Sequence, residues 1–181
     1  PKNLANIENS KIGFDPKLFT ETTLEKYFDK KVNLIPLEFI FKDIVKFKEN
    51  KIFQLKAKIS GESSISKINK VKSYMDKKKI NYLYSSASEN VNWLLNIRGK
   101  DLPNSPLVNC KAIISGKGKL YLFINSKKIS NVVKKNFKNL ILCEEDNLFN
   151  VIKILKNGSF CIDKNTCSIF DQEIIKSKFN I

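Results

Sequence analysis

Apolar and polar positions along the chain switch repeatedly between a two-residue and a helical period. Lys11-Ile12-Gly13-Phe14-Asp15-Pro16 reads as a short strand ended by a turn, because Pro16 forces Asp15 out of the helical region. Thr22-Thr23-Leu24-Glu25 has the form of a capping box, with a hydroxyl accepting from a first-turn amide while Glu25 reaches back. The helix it opens is short and ends near Lys30-Lys31, cations that suit a helix C-terminus. Val32-Asn33-Leu34-Ile35 is then a strand, stopped at Pro36. This strand–helix–strand unit is too small to bury its own faces, which points to the tail of a domain whose beginning lies elsewhere. Glu38 to Asn50 mixes apolar and basic residues and reads as a connector, and Ile52 to Ile59 alternates as a strand does.

The remainder is a longer alternation of the same kind. Ser63 or Ser64 caps a helix whose apolar residues Ile65, Ile68, Val71 and Met75 follow helical spacing. Lys67, Lys70, Lys72 and Lys77 make its solvated face. Ile80 to Tyr84 is a strand, and Ser86 or Ser88 starts a helix carrying Val91, Trp93, Leu94 and Leu95. Val108 to Ser115 and Lys119 to Ile124 form a hairpin about Gly116-Lys117-Gly118. A lysine-rich helix near Ser130 to Phe137 follows. After it come a strand at Leu140 to Cys143, a helix at Leu148 to Lys156, a strand at Ser159 to Ile162 and a helix near Thr166 to Lys176. The expected fold is α/β, three-layer α/β/α, with a mixed sheet covered on both faces. Residues 1–50 make one unit with its connector, and residues 51–181 make a second.

Composition narrows the function. No apolar run approaches the roughly 18–20 residues that span a bilayer, and Pro1-Lys2-Asn3-Leu4 starts no secretion signal, so a cytoplasmic protein with no membrane partner is expected. Pro1 is not an initiator Met, which suggests a piece of something longer. Cys110, Cys143, Cys161 and Cys167 stand at unpatterned spacings and read as reduced thiols. The net charge of +15 raises nucleic-acid binding, but Arg98 is the single arginine among 33 basic residues. Recognition favours Arg forks, and abundant Lys, Asn and Ile resemble a translated AT-rich genome. Drift is therefore preferred to a nucleic-acid partner.

The chain holds no histidine, which removes His-based triads and His-ligated zinc. No Cys-x-x-Cys occurs, and Glu144-Glu145-Asp146 points three ways from a solvated loop. Gly116-x-Gly118 lies between strands and is too short to cradle a phosphate. No nucleophile is paired with a base, so this chain is expected to carry out no catalysis and to hold no cofactor of its own.

Asn92 to Pro106 stands out, with the one Trp and the one Arg. On physical grounds Trp93 is core, the helix stops at Gly99, and Arg98 offsets the helix dipole and pairs with Asp101. The runs Gly61-Glu62-Ser63-Ser64 and Ser85-Ser86-Ala87-Ser88-Glu89-Asn90-Val91-Asn92-Trp93-Leu94-Leu95-Asn96-Ile97-Arg98-Gly99-Lys100-Asp101-Leu102-Pro103 resemble the second N-terminal domain of long, three-domain aminopeptidase P (Xaa-Pro aminopeptidase). Ile12-Gly13-Phe14-Asp15-Pro16 and Asn33-Leu34-Ile35-Pro36 resemble the close of that family's first domain, and Tyr121-Leu122-Phe123-Ile124 its second hairpin strand.

The resemblance implies a creatinase/prolidase N-terminal domain fold with a ribonuclease H-like motif. It implies a parent enzyme that removes the residue preceding proline from short peptides, with two divalent metal ions, typically manganese. Those ions belong to a following pita-bread catalytic domain, absent from this sequence. The N-terminal domains would support a homodimer and wall the active-site cleft beside their own catalytic domain. Asn96, Arg98 and Asp101 are the positions expected to face that cleft or a domain interface. A stand-alone binding module of the same fold, a prolidase or creatinase relative, and a basic nucleic-acid binder are the alternatives.

Overall fold

The computed structural model describes residues 10–28, 32–37, 50–129, 136–137 and 139–181. Strand β1 (Lys11–Phe14), helix α1 (Glu21–Tyr27) and strand β2 (Asn33–Pro36) form the first unit. The strands pair in parallel, from Lys11 opposite Asn33 to Phe14 opposite Pro36. The cap of α1 is Thr20 rather than Thr22. Thr20 is extended, its Oγ1 accepts from the Thr23 amide at 3.1 Å and meets Thr23 Oγ1 at 2.8 Å, so Thr23 takes the partner position expected of Glu25.

The second unit begins with β3 (Phe53–Gln54), the helical turn α2 (Ala57–Ser60) and α3 (Ser64–Lys77). Then come β4 (Tyr82–Ser85), α4 (Ser88–Leu95), β5 (Ile97–Arg98), β6 (Lys111–Ser115) and β7 (Leu120–Phe123). A 3₁₀ turn at Ser126–Lys128, β8 (Leu140–Cys143), α5 (Leu148–Ile154), β9 (Phe160–Cys161) and α6 (Ile169–Lys176) complete it. The five-stranded sheet runs β8-β7-β6-β4-β9. Its β6 pairs antiparallel with both neighbours, and the two outer pairs are parallel, which makes the sheet mixed.

Strand periodicity divides the apolar residues between two cores. Ala112, Ile114, Leu120 and Leu122 point to one face, with Met75, Val91 and Leu95 from α3 and α4 above them. Ile113, Tyr121 and Phe123 point to the other, against Val151, Ile152 and Ile175 from α5 and α6. Hence β7 reads as an unbroken apolar run: a strand covered on both sides has no polar face. The hairpin between β6 and β7 needs its second glycine, since Gly118 has φ +87°. The three-layer α/β/α sandwich with a mixed sheet is thus the one expected.

The first unit rests on the second at the start of α6. The opening amides of a helix have no partner within it. Here Ile169 N donates to Phe19 O at 2.9 Å and Phe170 N to Pro16 O at 3.0 Å, while Ser168 Oγ accepts from Asp171 N.

Several local expectations change. Ile52 to Ile59 is a two-residue strand followed by a helical turn, because Leu55 N turns to Asn96 O at 2.7 Å. Ile65 is 61% exposed, while Lys67, placed on the solvated face by its charge, is buried. Residues 108–110 are held by side chains of α4 rather than in a strand, so β6 starts at Lys111. The connector at 38–49, Lys30-Lys31 and the helix near 130–137, apart from its last two residues, lie outside the described residues.

Candidate functional site

The segment singled out by its Trp and Arg is a helix end whose carbonyls draw donors from other parts of the chain. Helix α4 stops at Asn96, in the left-handed conformation (φ 54°, ψ 32°) that Asn tolerates, and not at Gly99. Its final carbonyls need donors from outside the helix. Asn92 O accepts from Arg98 Nη1 at 3.2 Å, and Trp93 O from Lys67 Nζ at 2.9 Å. Leu95 O accepts from Gln54 Nε2 at 3.2 Å and Asn96 O from the Leu55 amide. Three different parts of the chain, at β3, α3 and β5, therefore meet on one helical turn.

Lys67 is the centre of this junction. Its Nζ also donates to Asn96 Oδ1 at 2.7 Å and lies 4.2 Å from the centre of the Trp93 ring. Asn96 Nδ2 donates onward to Glu62 O at 2.8 Å, which joins the turn before α3 to the end of α4. Burial holds the Lys67 ammonium below its ordinary value, with Arg98 pushing the same way and Glu62 opposing. The Glu62 carboxylate is lowered by hydrogen bonds from Lys70 and Ser66.

Asn92, fully buried, works like a piece of backbone. Its Nδ2 donates to Val108 O at 2.8 Å and its Oδ1 accepts from Val108 N at 3.0 Å. Ser88 does the same for Cys110, giving its hydroxyl proton to Cys110 O and accepting from Cys110 N at 3.1 Å, which leaves Ala87 as the helix cap. Gly99 is required by contact: a Cβ there would lie 2.6 Å from Val108 Cγ2.

Asn96, Arg98 and Asp101 are brought to this junction in different ways. Asn96 is buried and bonded within the fold. Arg98 is half-buried and sends one nitrogen to Asn92 O and, at 2.7 Å, to Ile97 O, which matches its expected place at the helix end. Its expected partner Asp101 is taken elsewhere: Asp101 Oδ2 accepts from Lys128 Nζ at 2.9 Å, well inside the protein, and from Asn109 N at 2.8 Å. Trp93 is not core, being 52% exposed. It lines a cavity of about 350 Å³ with Asn90, Cys161 and Asp163, while Asn96 lines a groove of about 690 Å³ with Phe53, Leu55 and Ile65. The junction thus stands between two concavities.

Sequence spacing does not single out Lys67, Asn92 and Lys128 as site residues. It does place Lys67 four residues before Val71 and eight before Met75, on the inward face of α3. Among the described residues no three His, Cys, Asp or Glu side chains gather to hold a metal ion. Burial raises the thiols of Cys110 and Cys167 to about 12. Glu145 and Glu144 accept from the Asn125 and Ser126 amides instead, at 3.2 and 3.5 Å.

The sequence profile described as Creatinase/Prolidase N-terminal domain matches residues 43–180. The chain belongs to that family. Among curated relatives, a protein of Laccaria bicolor is 29% identical over 56% of this chain and 16% of its own length. One of Coprinopsis cinerea is 30% identical over 68% of the chain and 21% of its own length. Both bear the name "Probable Xaa-Pro aminopeptidase P". Xaa-Pro aminopeptidase 1 of Dictyostelium discoideum is 28% identical over 72% of the chain and 24% of its length. The creatinase-type chain therefore spans less than a quarter of the length of these relatives. An X-prolyl aminopeptidase of Caenorhabditis elegans, described as a cytosolic enzyme with a di-nuclear active site, has the same fold over 80% of this chain and 25% of its own, with TM-score 0.69 and 21% identity.

Proposed function

We propose that this chain is the non-catalytic N-terminal region of a proline-specific metalloaminopeptidase. Residues 1–50 would be the close of a first creatinase-type domain with its connector, and residues 51–181 a second such domain. In the whole enzyme they would wall the cleft of the catalytic domain, restrict it to short peptides with proline in second position, and support a homodimer in the cytoplasm. What carries this reading is the extent of the likeness: relatives named Xaa-Pro aminopeptidase align with this chain over 16–24% of their own length. The remainder of such an enzyme would supply the chemistry.

Two divalent ions, manganese in the expectation above, find no fitting seat here, since no suitable cluster of donors forms among the described residues. No reaction step is assigned to this chain. Its contribution is positional. The junction at α4 holds the half-buried Arg98 in place through Nη1, which donates to Asn92 O and Ile97 O. Asn96 and Asp101 act through the fold, by holding the turn and the loop after it.

The test is a peptidase assay on the purified chain, with an Xaa-Pro peptide, with and without manganese. No turnover is expected in either case, and turnover overturns the proposal. In the full-length enzyme, Arg98→Ala should raise KM for such peptides more than it lowers kcat. An unchanged KM removes Arg98 from the cleft.

A further inference from the structure

Lysine is spread evenly along the sequence but not over the folded surface. The α3 helix ends with Lys72 and Lys77, and Lys78 and Lys79 follow it. The hairpin carrying Lys117 and Lys119 packs on this end, because Gly116 N donates to Asn81 O at 2.9 Å. Lys72 Nζ lies 3.2 Å from where a Cβ on Gly118 would sit. The loop before β9, with Lys156, joins the same corner: Asn81 N donates to Ser159 O at 3.1 Å and Ser159 Oγ to Lys79 O at 2.5 Å. Among the described residues this end of the sheet gathers these lysines and a single carboxylate, Asp76. Six of them, all but Lys72, are exposed.

The opposite end is mixed: there Glu89, Glu144, Glu145, Asp146 and Asp163 stand with Lys111, Lys127, Lys128 and Lys164, and Lys111 and Lys128 are paired with Asp171 and Asp101. A compositional drift toward lysine has no reason to distinguish two ends of one sheet. We propose that the lysine-rich end is a docking surface for the backbone of single-stranded nucleic acid.

Two further features favour this partner over an acidic protein. Tyr74 is 57% exposed and stands three and four residues before Lys77 and Lys78, so its ring shares their face of the helix and offers a base a stacking surface. A groove of about 300 Å³ opens at Lys72 and Gly118 and is lined by Asn69 and Asn139, whose amides can hydrogen-bond base edges, and by Asn136, which donates to Gln54 Oε1 at 2.6 Å. Lysine serves phosphate as a point charge, so the binding is sequence-tolerant and sensitive to salt.

The test is fluorescence anisotropy of a labelled single-stranded oligouridylate with the whole chain across a salt series. Each lysine–phosphate contact contributes about 0.7 to the slope of log K against log salt. The triple variant Lys77→Gln/Lys78→Gln/Lys79→Gln should lower that slope by about 2 and weaken binding at least about tenfold. Lys51→Gln/Lys56→Gln/Lys58→Gln, at the far end of α3 about 21 Å away, should change affinity less than about twofold. Circular dichroism checks that both remain folded. An equal loss in both variants, a flat salt series, or displacement by polyglutamate as effective as by unlabelled RNA overturns the proposal.

Discussion

The two units of this chain use the same strand–helix–strand grammar and reach different degrees of independence. In the first, β1 and β2 bury none of their residues, and Leu24 is the one core side chain of α1. In the second, the central strands are covered on both faces by separate apolar clusters. The difference lies in layers rather than in local propensity. Among the described residues the two strands and one helix of the first unit have no second layer to close against, and the unit leans on the start of α6, to which it gives two carbonyls. In return, α6 gains acceptors for amides that its own turns cannot satisfy.

Core truncation should separate the units most sharply. Ile113 is fully buried in the middle of the sheet. Ile113→Ala should destabilise the second unit by about 2–5 kcal/mol in urea unfolding followed by Trp93 fluorescence. Leu24→Ala should shift that transition far less, because Trp93 reports on the unit that does not contain Leu24. Equal shifts would mean that the two units unfold as one.

The junction at α4 comes next. Lys67→Met leaves Trp93 O and Asn96 Oδ1 without their donor and should lower stability by about 1–3 kcal/mol. Its pH dependence has a definite sign. The folded state holds Lys67 below its ordinary 10.5, so the unfolded chain binds more protons in that interval. The stability of the wild type relative to Lys67→Met should therefore rise as pH climbs through the lowered value towards 10.5. A flat difference would contradict the buried ammonium.

The thiols give an opposing trend. Unfolding returns Cys110 and Cys167 from about 12 to their ordinary 9.0, so the unfolded chain loses protons first and stability falls as pH rises between those values. Iodoacetamide should label the half-buried Cys161 in the native protein and reach Cys110 and Cys167 upon unfolding. The smallest effect belongs to the contact between the units that is exposed, Lys176 with Glu21 at 3.0 Å. Glu21→Gln should cost less than about 1 kcal/mol, and less still in high salt.

The α/β alternation, the mixed sheet and both helical layers are legible in the sequence, because continuous apolar runs and helical spacing record burial directly, whereas the turn α2 and the two-residue β5 are not. The Leu140–Cys143 strand was placed to the residue. What escaped depends on partners distant in sequence. The charge of Lys67 points to solvent, yet acceptors 26 and 29 residues away make its burial tolerable. Proximity in sequence pairs Asp101 with Arg98, three positions off, but the folded loop presents it to Lys128. Trp93 carries the apolar signature of a core residue while its ring stays half outside, over the Lys67 ammonium. Spacing fixes which way a helix faces. It does not say which polar groups will meet beyond its end.

Titration of manganese into the purified chain, followed by electron paramagnetic resonance, tests most directly whether this polypeptide shapes a reaction chamber that other residues equip. The expectation is a spectrum of free aqueous ion throughout, with no spin-coupled pair. A stoichiometric pair of coupled ions held by its own carboxylates would contradict it.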